Sequence, residues 1–323
     1  STSLHEAARV LGADGSRTFW RVALPVARPA VAGGIALVLM ETVADYGVVE
    51  HFGVPTFTSG IFRTWYAMGE HSAALQLAGW LFVIVAVLVV AEQFARRGHR
   101  FNPVSINRSN VQVKLVGLPA IAATVACSIP VCLGFIVPFL MLLEHAISVG
   151  DPMLGKGFSK LLFNSLYVAG CAAFICAVAS VWLNYAQRLH SGLGMKLAVR
   201  IATLGYAIPG MVLAVGILVP LTFVDRGVSG FLRDNFDGFS GLLITGSVAC
   251  LVFVYVARFL TVAYNSGHMG MAALHYNLDA AARSLGASPR RVLQQIHFPL
   301  LRPALLSGLL LVFIDVMKEL PAT

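Results

Sequence analysis

Five stretches of this chain run for twenty or more residues without a charged side chain: 72–91, 115–143, 161–187, 201–224 and 238–257. A helix needs ~20 residues to cross the hydrocarbon core of a bilayer. Each stretch is long enough, so the sequence predicts five transmembrane helices. The composition agrees. Charged residues make up 12% of the chain and hydrophobic residues 58%, whereas soluble domains carry about 25% charged residues. A chain of 323 residues at that level needs a solvent other than water.

Two weaker segments, 29–40 and 303–314, are apolar for twelve residues and then meet an acid. Taken alone, each fits a buried core helix as well as a span. Lysine and arginine set the expected orientation. With the N-terminal segment inside, threading seven spans puts Arg9, Arg17, Arg21, Arg28, Arg96, Arg97, Arg100, Arg108, Lys114, Arg188, Lys196, Arg200, Arg258, Arg283, Arg290, Arg291 and Arg302 on one side. Arg63, Lys156, Lys160, Arg226, Arg233 and Lys318 fall on the other. The positive-inside rule then makes the N-terminal side cytoplasmic. Basic loops beside anionic lipid account for the net charge of +8 without nucleic acid.

The five cysteines, Cys127, Cys132, Cys171, Cys176 and Cys250, all lie in apolar runs without metal-site spacing. They are expected to pack as small apolar residues. The nine histidines form no H-x-x-x-H pair, and there is no phosphate loop, nucleophile elbow or dinucleotide fingerprint. The sequence shows no catalytic centre and is not expected to be an enzyme by itself.

An internal repeat organises the chain. Residues 6–34, "EAARVLGADGSRTFWRVALPVARPAVAGG", align without a gap to 280–308, "AAARSLGASPRRVLQQIHFPLLRPALLSG". At an offset of 274, fourteen of the thirty-seven positions from 6 to 42 are identical. Random pairing at typical residue frequencies gives about two or three. Both copies fall on the cytoplasmic side of the charge count, so the repeats are parallel, related by an axis along the membrane normal. Each reads as a helix–turn–helix. Ala7 and Ala8 allow close packing, and Gly12 and Gly286 permit a sharp turn. Asp14 and Ser288 are N-caps, and Pro289 suits a first helical turn. Pro25, Pro29, Pro299 and Pro303 are expected to break the chain before the membrane helix.

The spacing E-A-A, three residues, Gly, nine residues, an aliphatic residue and x-L-P resembles the EAA motif of ATP-binding-cassette (ABC) importer permeases. Copy one carries it at Glu6, Ala7, Ala8, Gly12, Val22, Leu24 and Pro25. Copy two carries Ala281, Ala282, Gly286, Ile296 and Pro299, with Phe298 for leucine. Ala280 replaces the glutamate there, and Asp279 is the nearest acid. The stretches "ADYGVVEHFGVPTFTSGIFRTW" (44–65), "GYAIPGMVLAVG" (205–216) and "DVMKELPAT" (315–323) are similar to the fused, two-half permeases of iron(III) importers. Related permeases carry thiamine, polyamines or phosphonates.

The resemblance implies an all-α, polytopic transmembrane helical bundle of the type I ABC importer permease fold with a parallel internal repeat. It implies about six helices per half, so this chain is expected to be a fragment lacking the early helices of half one and the last helix of half two. A complete seven-helix protein is the alternative. Residues 1–100 would be the C-terminal part of the first half, 101–114 a cytoplasmic linker, and 115–323 the second half, with its coupling loop at 271–302. In the family this loop docks into a groove of a cytoplasmic ATPase, which assigns ATPase coupling to Glu6, Ala7, Ala8, Gly12, Asp279, Ala281, Ala282 and Gly286. No Walker motif is present, so the ATPase, with its ATP and Mg, is expected to be a separate dimeric partner, and this chain is expected to bind no cofactor. A periplasmic binding protein would deliver substrate at the bacterial inner membrane.

"YAIPG" at 206–210 should break the helix expected over 201–224, which puts Tyr206 and Pro209 on a candidate translocation path. Acids extend that path. The repeat offset places Glu41 on Asp315 and Asp45 on Glu319. Each pair is four residues apart, on one helix face if the helix continues that far. Four acids would then face one another across the pseudo-twofold axis. Membrane-embedded acids mark ion pathways, and carboxylates suit a hard cation such as iron(III). The expected role is transient guidance by Glu41, Asp45, Asp315 and Glu319 rather than a fixed metal site. Alternatively Lys318 or an arginine neutralises them, or they dock the binding protein. A secondary transporter or channel built from parallel repeats is the competing class of function.

Overall fold

A computed structural model describes residues 8, 10–96, 115–148, 157–190, 192–235, 243–275 and 277–319. Glu6, Ala7 and the 101–114 linker lie outside the described residues. All regular structure among the described residues is helical. The main elements are α1 (Leu24–Ala44), α2 (His71–Arg96), α3 (Leu118–Ser148), α4 (Phe158–Leu189), α5 (Gly210–Asn235), α6 (Val248–Ala272), α7 (Asn277–Ser284) and α8 (Phe298–Met317). Six helical stretches are long and apolar enough to cross a membrane. They are α2 to α6 and the stretch Pro289–Met317 that ends in α8. A seventh is reached when Gly15–Arg28 and Val31–Ala44 count as one broken span.

The chain divides into two compact units, residues 1–31 with 97–163, and residues 32–96 with 164–323. The first holds the turn of repeat one and α3. The second is built around α4, α6 and α8. Ala169, Ala172, Ala173 and Cys176 of α4 are buried with Tyr255, Phe259 and Ala263 of α6 and Val312 and Val316 of α8. Without a hydrophobic driving force inside lipid, such helices gain by close van der Waals contact, and the small residues of α4 permit it. Ser180 Oγ donates to the Ala263 carbonyl at 2.7 Å, and the Asn184 amide to that of Tyr264 at 3.2 Å. A second core joins Ile61, Ala78 and Leu81 to Met211 and Val215 of α5. Asp225 of α5 is buried and accepts the backbone N–H groups of Leu243, Ile244 and Thr245 at 2.7–3.0 Å, which fixes the approach to α6.

Proline shapes the helices differently from expectation. Three π-helical turns, Phe19–Ala23, Cys132–Ile136 and Leu293–His297, each end two residues before a proline: Pro25, Pro138 and Pro299. Proline donates no N–H to the carbonyl four residues back and presses its ring against it. The widened turn absorbs this conflict, with Leu24 N–H bonded to Phe19 O and Phe298 N–H to Leu293 O. Pro25, Pro299 and Pro303 therefore lie within helix rather than breaking the chain, whereas the span is broken at Pro29 as expected.

Two expected spans are also redrawn. The run 201–224 is not one helix. A short helix, Leu193–Ala202, ends first, and α5 begins only at Gly210. The run 238–257 gives way to α6, which starts later and continues through Arg258 to Ala272. Arg258 thus sits inside a span and not in a cytoplasmic loop. Among the cysteines, Cys176 and Cys250 are buried as expected, whereas Cys127 and Cys132 are exposed.

Candidate translocation cavity and coupling loops

The sequence repeat persists in the backbone. Short helices Gly15–Thr18 and Pro289–Val292, and the π turns that follow them, occupy positions 274 residues apart. Asp14 and Ser288 each cap their helix, accepting the backbone N–H of Arg17 at 3.0 Å and of Arg291 at 3.4 Å. Gly12 and Gly286 both have φ of 78°. The Ala13 N–H reaches Ala8 O at 3.0 Å, and the Ala287 N–H reaches Ala282 O at 3.0 Å. In copy two the Gly286 N–H also meets Arg283 O at 2.9 Å. This is a Schellman helix end, in which glycine takes the left-handed position. It gives a physical reason for the motif: a small residue to pack, then a glycine four residues on to turn. Ala8 and Ala282 are buried, Ala281 is exposed, and just before each glycine Leu11 and Leu285 are 85% and 88% exposed.

Asp279 differs from the other coupling residues. It is 3% exposed and turned into its own chain. Arg188 Nε donates to its Oδ2 at 2.7 Å, and His297 Nε2 lies 2.7 Å from its Oδ1. An ionised carboxylate only accepts, so His297 Nε2 carries the proton of that bond. Burial pushes the Asp279 carboxyl up, but the hydrogen bonds and charges of Arg188 and His297 outweigh this and hold it below the usual carboxylate range.

The acids gather around a cavity of about 520 Å³ in the second unit. Glu41, Asp45 and Glu319 line it together with Arg258 and Lys318. Tyr206 Oη donates to Glu41 Oε1 at 2.7 Å. Arg258 is ion-paired with Glu319, and Lys318 with Asp315 at 2.9 Å. The break at 206–210 now has a geometry. Ile208 is extended, the backbone that a following proline favours, and Pro209 is buried. A side chain at Gly205 would strike the Ala257 carbonyl, and one at Gly210 would strike the Arg258 guanidinium and the Glu319 carboxylate. The two glycines let the broken strap lie against α6.

Three of the four expected acids therefore share one cavity, and Asp315, which pairs with Lys318, is not among its lining residues. The helices stop before the second acid in each repeat, at Ala44 and Met317, so neither acid pair shares a helix face. The cavity is of mixed charge rather than a ring of four carboxylates. Among the described residues no group of three metal-ligating side chains is placed to hold an ion. Sequence reasoning missed Arg258 and Gly210. The signal for Arg258 was present, since apolar sequence continues on both sides of it, "VFVYVARFLTVA" at 252–263.

Apolar spanning helices, an internal sequence repeat and a charged cavity beside a broken helix are the features of a membrane permease. The chain belongs to the family described as binding-protein-dependent transport system inner membrane component, whose profile matches residues 1–93 and 177–323. It is accordingly a multi-pass inner membrane protein. It is 26% identical over 331 residues to the Fe(3+)-transport system permease protein FbpB 2 of Haemophilus influenzae, covering 99% of this chain and 61% of the relative. It is 27% identical over 349 residues to the ferric transport system permease protein FbpB of Actinobacillus pleuropneumoniae, covering 99% of this chain and 47% of the relative. A putative 2-aminoethylphosphonate transport system permease protein, PhnV of Salmonella typhimurium, is 27% identical over 62% of this chain and 76% of its own length. The chain thus spans about half to three-fifths of the two ferric relatives.

Proposed function

We propose that this chain forms part of the membrane permease of an ATP-driven importer that carries iron(III). The observation that carries this reading is the duplicated Schellman turn with its exposed leucine, in a chain of the binding-protein-dependent family. A repeated turn, each copy with an exposed leucine, suits a pair of docking sites on a cytoplasmic ATPase dimer, which would use ATP and Mg. Glu6, Ala7, Ala8, Gly12, Ala281, Ala282 and Gly286 belong to these docking loops, and Asp279 braces the second from within. A periplasmic binding protein delivers the cargo. Residues 1–100 are assigned to the first half, 101–114 to the linker and 115–323 to the second half.

Iron(III) is favoured because both ferric relatives span nearly the whole chain, whereas the phosphonate relative spans less. The path runs past Tyr206, Pro209, Glu41, Asp45 and Glu319, with Asp315 setting Lys318. Carboxylates there attract a hard cation, while Arg258 and Lys318 limit how tightly it is held, so that it can leave. Vesicles containing the assembled transporter, its binding protein and internal ATP test the reading. Vanadate-sensitive uptake of iron(III) is expected. Uptake driven by an ion gradient without ATP would instead identify a secondary transporter.

A further inference from the structure

Three devices converge on one turn of α4. Arg188 donates to Asp279 Oδ2, to the Met271 carbonyl at 2.9 Å and to the Leu274 carbonyl at 3.3 Å. Three residues earlier, Tyr185 Oη donates to the Pro289 carbonyl at 2.6 Å, and its ring stands edge-on to His297 at 5.6 Å. That single turn therefore grips the end of α6, the first turn of α7, the start of the Pro289–Val292 helix and the π turn behind it. The centre of the grip is buried, with His297 0% and Asp279 3% exposed, while the Tyr185–Pro289 bond lies at its surface. It acts only at the base of the second loop, because the tip at Leu285 and Gly286 is exposed.

A loop clamped at its base and free at its tip works as a lever. We propose that Arg188 is the positioning residue through which the second coupling loop moves the membrane helices, an inference that rests on the importer reading above. Ser180 and Asn184 bond α4 to α6, so loop two, α4 and α6 form one rigid element. Met271, held by Arg188, lies thirteen residues along α6 from Arg258, about 20 Å at helical rise. Displacement of the loop tip is passed along α6 to the Arg258–Glu319 pair on the cavity. At the repeat offset, His5 stands at the position of Asp279 and Ala23 at that of His297. The acid and the histidine of this clamp are therefore particular to the second loop.

The test is the ratio of iron(III) transported to ATP hydrolysed by the assembled transporter with its binding protein. Arg188→Ala is expected to keep its membrane level and its ATPase partner while the ratio falls about tenfold, within the usual range of coupling energies. Arg188→Lys is expected to recover part of the ratio. Its ammonium reaches the carboxylate but lacks the planar fork that also serves two carbonyls. An unchanged ratio in Arg188→Ala overturns the inference, as does loss of transport and hydrolysis in equal proportion. If Arg188→Ala fails to insert, Asp279→Asn decides by the same ratio. A wild-type transporter without ATP-driven uptake would overturn the importer reading itself, and this inference with it.

Discussion

Gly12 and Gly286 stand 274 residues apart and adopt the same left-handed backbone, each at φ 78° and each following a leucine exposed to solvent. Neither has a heavy atom within 4 Å of where a side chain would begin. The requirement for glycine at these positions is therefore conformational and not steric.

Replacing both glycines by valine should strain each turn by about 1–3 kcal/mol, because a β-branched residue resists positive φ. The transporter should still insert, while transport and ATPase co-purification fall. Asparagine, which tolerates this region, should retain most function. Transport assays alongside a pull-down check this, and wild-type behaviour of the double valine variant would remove the loops from the coupling role.

The Arg258–Glu319 pair is buried, so its halves are not equivalent to its whole. Arg258→Ala removes a buried partner of the Glu319 carboxylate and should cost up to about 3–5 kcal/mol. Changing both residues to methionine should cost far less stability yet still impair uptake. Thermal unfolding in detergent separates the two effects. Equal destabilisation by the single and double variants would show that the pair does not govern this site.

Gly210→Ala places a methyl group against the guanidinium and carboxylate of that pair. Both are flexible ends, so the expected result is a displaced ion pair and reduced uptake rather than unfolding. Gly216, in the same helix, has open space around it. Gly216→Ala should be silent in transport and add up to about 1 kcal/mol through helix propensity. Matching transport losses in the two variants would point to a helix effect instead of the pair.

Much of this architecture was legible because lipid imposes simple rules. The apolar runs located three of the spans closely and two in part, and the repeat located both turns to the residue, since a left-handed glycine and a capping Asp14 or Ser288 leave local signatures. What failed had several causes, the first a charge taken for a boundary. Arg258 ended a span on paper because its partner, Glu319, is sixty-one residues away. The acids at Asp45 and Glu319 were carried onto helix faces because a carboxylate four residues on is compatible with helix or with its end. Pro25 and Pro299 were read as breaks because a π turn, which absorbs proline, has no periodicity of its own. The motif makes Asp279 a coupling residue, and only the fold shows Arg188 and His297 closing over it.

Asp279 predicts the pH response of the second loop. Its carboxyl is held below the ordinary range in the folded state, so its contribution is present above the unfolded pKa and is lost as pH falls through the folded one. Hydrogen exchange across α7 should show constant protection from neutral pH down to about 4, the usual aspartate range, and loss only below it. Loss of protection near pH ~6.5 would assign control of the loop to a histidine instead.

The central claim is that the cavity bounded by Glu41, Asp45, Arg258, Lys318 and Glu319 lies on the path of a cation driven by ATP. Uptake of radiolabelled iron(III) by vesicles containing the assembled transporter, its binding protein and ATP tests it most directly, comparing wild type with Glu41→Gln, Asp45→Asn. Removing two charges from a focusing cleft should lower ATP-dependent uptake by about tenfold or more, with ATPase assembly intact. Wild-type uptake by the double variant would contradict the account.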